Sequence, residues 1–540
     1  MHLIFRLFFS FLFVLNLSNH LFAQTLCKEK ISFHKERRNQ LQNQMAPNSV
    51  AVIFTNPVRN RANDVDYVYH PDPNFYYLTG WREPQSVLLL FSSVQHDEQG
   101  PYKEILFIQE RNPRAEQWNG RRLGKEGALA LGLERVYERQ HFSDFPLDYD
   151  AFDEVLIVDF KNDERDNPND PADLYSMKAH LKTALHFPEN FNKTVYQLQQ
   201  AIRTASAEDF VALKRRVSWY ADNDKSVAND EIIQDFLALE TLEVPADLKM
   251  KTAFELRRYN FDVQKLEHFL GDLREEKTAY EMEILKKAVE ISAIGQVEVM
   301  KAMKPGMSER EIQGIHEYVF KKYGAAYEGY PSIVGAGHNA CVLHYIENND
   351  IPEEQDLMLM DLGAEYQGYT ADVTRTIPVK GTFSEEQRLL YQLVYDAQEA
   401  GIAQAVIGST STKVTQATQE VIKKGLLALG IIEEEKDFRR YFPHGAAHHI
   451  GLDVHDLSNY GPFPANSVIT VEPGIYIPEN SDCDPKWWGI GIRIEDDIWI
   501  TEKGPVNLSA KAPRYWKDIE AMMAQPSPLD AFRLPALSTN

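Results

Sequence analysis

Cysteine is scarce in this chain, with three residues in 540 and no Cys-x-x-Cys pair, so neither a disulfide framework nor a thiolate zinc site is available. Positive charge is short as well. Fifty-seven Lys and Arg stand against 80 Asp and Glu, a formal charge of −23, which argues against a general binder of nucleic-acid backbones. Long apolar runs are confined to the N-terminus, and no later segment approaches the ~20 residues that span a bilayer. Glycine is missing from residues 200–270. That stretch, dense in Lys, Glu, Asp, Leu and Ala, is expected to form a helical connector or insertion at 200–269 with no chemistry of its own. What remains is the composition of an ordinary globular protein, with room for about two to four domains at ~150 residues each.

Residues 1–23 place Arg6 before an apolar run from Leu7 to Leu15 and end on Leu21-Phe22-Ala23. This reads as a secretory signal peptide and implies export, to a periplasm or the exterior, with no stable membrane insertion after cleavage. From 28 to 199, apolar runs at Val50–Phe54, Ser86–Phe91, Glu104–Gln109 and Glu154–Phe160 read as strands among helices, an α/β or α+β domain. A further domain is expected over 270–524. Its first helix opens on the capping box Thr278-x-x-Glu281 and its second on Ser308-x-x-Glu311. Residues 525–540, with three prolines, are expected to be a loose tail.

The chemistry is concentrated after residue 340. Two strands flank a Gln367-Gly368 turn, and if Tyr366 and Tyr369 close that turn, Asp372 lies opposite Gly363. Asp361 and Asp372 are then diagonal neighbours on one face, ~7–8 Å apart at the backbone. Val468 to Ile477 and Gly489 to Ile500 are also strand-like, and closure at Pro478 and Gly489 sets Glu472 opposite Glu495. Acids inside apolar strands need a cation or a strong base. Arg493, on the same strand as Glu495, is the metal-free answer; solvation is the other for the aspartates. Between the hairpins run His444, His448 and His455, with His344 further upstream. Alongside four inward carboxylates, His448 becomes a plausible fifth ligand. A set of hard oxygens with one imidazole favours Mn2+, with Co2+, Fe2+ and Zn2+ compatible.

These motifs resemble aminopeptidase P, the Xaa-Pro aminopeptidase branch of the pita-bread metallopeptidases, over roughly residues 28–190 and 270–520. The resemblance rests on Cys341-Val-Leu-His344-Tyr, Asp361-Leu-Gly, Ala-Asp372-Val-Thr-Arg, His444-Gly, Gly-Leu-Asp-Val-His455-Asp, Val-Glu472-Pro-Gly and Gly-Ile-Arg493-Ile-Glu495-Asp-Asp. In the N-terminal part it rests on Asn74-Phe-Tyr-Tyr-Leu-Thr-Gly-Trp and Ala115-Glu-Gln-Trp-Asn-Gly-Arg-Arg-Leu-Gly. It implies an α+β chain: a C-terminal pita-bread (creatinase/aminopeptidase-like) catalytic domain behind an N-terminal α/β creatinase-like domain. It further implies that Asp361, Asp372, His448, Glu472 and Glu495 bind two divalent ions, with Asp372 and Glu495 bridging, and that the ions activate a hydroxide. His344, His455 and Glu472 become the catalytic residues, and Tyr330, His444, Arg493 and Trp118 the substrate-side residues. The implied reaction removes the N-terminal residue from peptides with proline second, by a homodimer or homotetramer. Leu362 stands where the family often has Ala, and the 200–269 stretch is longer than in compact members. A dipeptide-restricted prolidase, a metal-free hydrolase and a non-enzymatic pita-bread binding protein are the rivals.

Overall fold

β-Branched and aromatic runs build the sheet of the first unit. Ser49–Phe54 is buried along its whole length, as a strand covered on both faces must be. In the computed structural model, which describes residues 29–158, 160, 163–531 and 534, the chain divides into two units, Met1–Leu270 and Gly271–Asn540. The proposed signal peptide lies outside the described residues. The six-stranded sheet of the first unit runs Val136–Glu138, Gly100–Ile108, Val87–Asp97, Ser49–Phe54, Glu154–Ile157, Phe261–Asp262. Ser49–Phe54 pairs antiparallel with Val87–Asp97 and parallel with Glu154–Ile157. Val50, Leu89, Phe107 and Val155 share one core with Met177 and Leu181 of the helix Leu174–Ala184.

Three expectations are corrected here. The strand read as reaching Phe160 stops at Ile157. The strand read as ending at Phe91 continues to Asp97, because its hairpin with Gly100–Ile108 carries pairing out to Asp97 and Gly100. The stretch expected at 200–269 does not begin at 200, since the helix Lys193–Thr204 runs across that position. It is also no connector: Phe261–Asp262 pairs with Val155 and Leu156 and completes the sheet. The helices from Lys193–Thr204 to Ala246–Leu256 are therefore an insertion into the first unit, with a core of their own made by Leu198, Ile202, Phe210, Val217, Ile233 and Phe236.

Both capping boxes of the second unit form. Thr278 and Glu281 open Ala279–Ala302, and Ser308 and Glu311 open Glu309–Lys322, with reciprocal side-chain to backbone bonds in each case. Ile291, Val299 and Met300 of the first of these helices share the main core with Met358, Met360, Leu390 and Ile422. Leu357–Leu362 is the middle strand of a three-stranded sheet, between Ile333–Ala336 and Val373–Pro378. The strands expected over Val468–Ile477 and Gly489–Ile500 are each interrupted. Val468–Val471 pairs with Asp496–Thr501 in one sheet, and Gly474–Ile477 with Ile490–Arg493 in another. Pro473, which has no N–H to give a ladder, stands at the break. The expected loose tail is ordered in its first part: Pro528–Ala531 forms a 3-10 turn, and Asp530 pairs with Lys304. No helix among the described residues is long and apolar enough to cross a membrane.

Candidate metal centre

Each acid pair sits where a hairpin leaves one sheet for another. In the first hairpin Tyr366 faces Tyr369 across the Gln367-Gly368 turn, both turn residues at positive φ, 52° and 92°, as a type I′ turn requires. Asp361 faces Thr374 and Leu362 faces Val373. The same register sets Gly363 against Asp372, yet these two leave the ladder. Gly363 O accepts from Gly329 N–H at 2.9 Å, and Asp372 N–H donates to the Asp497 carboxylate at 3.1 Å. In the second hairpin the registers on both sides of Pro473 agree and set Glu472 against Glu495. Their N–H groups also turn outward, to Ala446 O at 3.0 Å and to Thr374 O at 3.1 Å. With these ladder bonds given up, the acid side chains at the gaps converge.

They converge on a cavity of about 640 Å³ whose wall includes Tyr330, His344, Asp361, Asp372, His444, His448, His455, Glu472, Arg493 and Glu495. Ligand atoms of Asp372, His448 and Glu495 lie within 4.8 Å of one another. His448 Nδ1 is 3.1 Å from His449 O, which can only accept, so Nδ1 donates there, and Nε2 faces Asp372 at 3.5 Å and Glu472 at 3.6 Å. Asp361 is held otherwise. Its carboxylate accepts from Arg493 at 2.6 Å, and Arg493 also donates to Tyr476 Oη at 2.8 Å and to Thr374 Oγ1 at 3.3 Å. Thr374 Oγ1 in turn donates to Glu495 at 2.6 Å. His444 Nδ1 faces Gly445 O at 2.5 Å, so its Nε2 accepts from Tyr476 O–H at 2.9 Å.

The protons of this cavity are far from their ordinary state. Burial pushes Asp372 and Glu495 well above the usual carboxylate range; the charges of Asp361 and Asp497 add to this at Asp372, and those of Asp372 and Asp361 add to it at Glu495. Burial lifts Glu472 to about 7 against the pull of His448 and Arg493. Asp361 is the exception: burial pushes it up, but Arg493 and the Tyr330 hydroxyl outweigh that and hold it below its usual value. Burial lowers His444 to about 4 and also lowers His455, so both imidazoles are neutral near pH 7. Tyr330 Oη lies 2.6 Å from Asp361 and 2.5 Å from Asp372. One hydroxyl proton cannot serve two carboxylates, so one carboxyl must bring its own.

Two family models match the chain: "Metallopeptidase family M24" over residues 283–502, and "Aminopeptidase P, N-terminal domain" over 34–148. The Xaa-Pro aminopeptidase of Escherichia coli K12 is 32% identical over 502 residues, covering 91% of this chain and 97% of that one. The chain belongs to the aminopeptidase P family. Human Xaa-Pro aminopeptidase 3 is 29% identical over 91% of this chain and 84% of its own. The solved structure of E. coli aminopeptidase P with the inhibitor Pro-Leu superimposes with a TM-score of 0.70 at 30% identity, covering 91% of this chain and 98% of that one. The expected α+β class, with an N-terminal aminopeptidase P domain and a C-terminal pita-bread domain, holds.

The donor set fits the divalent ions that an M24 metallopeptidase uses. Two buried carboxyls and the partly buried Glu472, all raised toward their neutral forms, beside an imidazole whose Nε2 faces them, are arranged for cations to replace the protons. Arg493 answers only part of this demand. It bonds Asp361 and not Glu495, and its charge does not bring Asp372, Glu472 or Glu495 back to the usual carboxylate range. Oxygen donors with one imidazole and no thiolate suit hard or borderline ions. Trp118 belongs to the first unit: it is next to last in the short helix Pro113–Asn119 and is 82% exposed, which rules out a packing role within that unit. A cavity of similar size on the insertion, about 690 Å³ among Phe210, Lys214, Arg215 and Leu242, has no such cluster of carboxylates and imidazoles.

Three residues escaped the sequence reading. Tyr476 joins Arg493 to His444, Thr374 joins Arg493 to Glu495, and Asp497 takes the Asp372 N–H. Strand parity carried the signal for Thr374, which directly faces Asp361. Tyr476, four residues beyond Glu472 in the second of two sheets, had none that local spacing could reveal.

Proposed function

We propose that this metallopeptidase is a Xaa-Pro aminopeptidase that releases the N-terminal residue from peptides with proline in second place, and that it works with Mn2+. The observation that carries the reading is the convergence of Asp372, His448 and Glu495 within 4.8 Å inside a cavity also walled by His344, His455 and Arg493. Asp361, Asp372, His448, Glu472 and Glu495 would hold two ions, with Asp372 and Glu495 shared between them. Bound divalent cations acidify water and polarise a carbonyl.

The chain's own groups do the rest. Glu472, on the cavity wall, can take a proton from water and return it to the proline nitrogen as the bond breaks. His455, neutral near pH 7, and His344 line the cavity as N–H donors to charge that builds on the carbonyl oxygen. Arg493 keeps Asp361 ionised, and Tyr476 fixes the tautomer of His444. Tyr330 stands against Asp361 and Asp372, where the substrate amine is expected. Proline in second place has no N–H and a fixed φ, so a peptidase that grips that N–H fails and a dedicated site is needed.

The apolar segment at residues 1–23 supports action outside the cytoplasm, and the family resemblance supports a homodimer or homotetramer in which the exposed Trp118 borders substrate. The deciding assay compares a Xaa-Pro-Xbb tripeptide with a Xaa-Pro dipeptide on protein of measured Mn2+ content. Cleavage of the tripeptide at the Xaa-Pro bond is expected; turnover of the dipeptide alone would make the chain a prolidase.

A further inference from the structure

One buried glutamine ties the first hairpin together where it opens. Gln296 is fully buried on the helix Ala279–Ala302. Its amide nitrogen donates to Met360 O at 3.1 Å and to Val373 O at 2.7 Å. Met360 immediately precedes Asp361, and Val373 immediately follows Asp372. Both partners are carbonyls, so only the NH2 end of the carboxamide can serve them. Among the described residues its Oε1 is buried without a hydrogen-bond partner, a placement that costs stability.

One turn earlier on the same helix face, Ser292 Oγ accepts the Ala364 N–H at 2.9 Å and donates to Ala288 O at 3.1 Å. In a regular ladder Ala364 N–H would go to Ala371 O; here only the reverse bond is made, from Ala371 N–H to Ala364 O at 3.2 Å. Ser292 and Gln296 therefore grip the hairpin on both sides of the gap at Gly363 and Asp372. The surrounding core of Ile291, Val299 and Met300 is apolar. An apolar side chain at 296 would pack there without an orphaned oxygen, but it would leave the two strands free to shift at the gap.

We propose that Gln296, assisted by Ser292, is a positioning residue for the metal centre: it fixes the separation of the two strands at the hairpin opening and thereby sets where the Asp361 and Asp372 carboxylates meet the ions. The inference rests on the metal reading above. It acts through backbone, not through a ligand side chain, and groups one step removed from a metal commonly govern affinity by 10–100-fold.

The test uses the full chain and Mn2+ alone. Gln296→Met keeps the volume and removes both donors; Ile291→Val, on the same helix, trims the core but leaves both Gln296 bonds to the hairpin in place. Mn2+ affinity and stoichiometry are measured by calorimetry, the Mn2+ environment by electron paramagnetic resonance, and folding by the melting temperature of ion-free protein. Gln296→Met is expected to weaken Mn2+ binding about tenfold and to change the resonance spectrum, whereas Ile291→Val lowers the melting temperature and changes neither. If Gln296→Met does not fold, Ser292→Ala takes its place, with a smaller shift in the same direction. Unchanged affinity and spectrum in the folded variant, beside wild-type protein that binds Mn2+, overturns the positioning role alone. Wild-type protein that takes up no Mn2+ overturns the metal reading and this role with it.

Discussion

The hairpin carrying Asp361 and Asp372 opens at a glycine, and the one carrying Glu472 and Glu495 opens at a proline. At Gly363 the reason is steric, since a Cβ there would lie 1.8 Å from Ala371 O. At Pro473 the reason is a missing donor. The acids are also disposed differently. Asp361 stays within its ladder, facing Thr374, while Asp372 sits in the gap; Glu472 and Glu495 both sit in theirs. The one acid still in a ladder is the one that Arg493 reaches and keeps ionised. The three in the gaps carry raised pKa values. Gaps in a sheet thus create the demand for cations, and the intact ladder next to one of them supplies a protein base for the acid that is left over.

The most severe way to break this symmetry is to remove one gap acid from each hairpin. Asp372→Ala and Glu495→Ala are each expected to cut peptidase activity by about 10³-fold or more, a loss of at least ~4 kcal/mol, while circular dichroism and melting show a folded protein. Retained turnover in either variant at full metal content would show that the shared ligand is misassigned. Next in size is Gly363→Ala. Pushing a methyl against the backbone of Ala371 is expected to cost about 3 kcal/mol or more, read as a fall in the denaturant midpoint; an unchanged midpoint would show that the first hairpin opens for another reason.

A smaller effect separates the gap acids from an acid with its own bases. Burial raises Asp456, but Arg274 and Lys277 outweigh it and hold that carboxyl at about 2, with Lys277 at 2.9 Å. Its stabilising contribution, about 2 kcal/mol, is present above its ordinary value of 3.8 and is lost as the pH falls toward 2. Glu472 behaves in the opposite sense. With a folded value near 7 against an ordinary 4.5, its contribution in ion-free protein is present below about 4.5 and is lost as the pH rises through 7. Denaturant titrations across this range should show both limbs without metal, and saturating Mn2+ should abolish only the loss on the alkaline side. The smallest effect is expected for Pro473→Ala. A restored N–H does not rebuild a ladder whose neighbours already bond elsewhere, so stability should change by less than about 1 kcal/mol.

Both hairpin registers were legible in the sequence, because a two-residue turn at Gln367-Gly368 and a closure at Pro478 and Gly489 fix strand pairing residue by residue. That pairing was enough to bring the acids together two by two, Asp361 with Asp372 and Glu472 with Glu495; the family resemblance joined the pairs. The change of sheet at each gap was not legible, since it depends on where Gly329, Ala446 and Asp497 come to lie, and alternation within a strand says nothing of that. The role of Arg493 was half legible. Strand parity put it on the face of Glu495, but its reach to Asp361 crosses between hairpins. In the first unit the helical insertion was evident from missing glycine, yet its return to the sheet hung on two residues, Phe261–Asp262, too short a signal for any periodicity.

That short strand has a kinetic consequence. Phe261 pairs with Val155, so the sheet cannot be completed until a long stretch of chain has looped back, and closing long loops is what slows the formation of non-local structure. The insertion shortens the search. Its first and last helices, Lys193–Thr204 and Ala246–Leu256, lie against each other, and its helices pack on local contacts around their own core. Once they have condensed, entry and exit are neighbours, and the last strand is delivered to the sheet edge as though on a short turn.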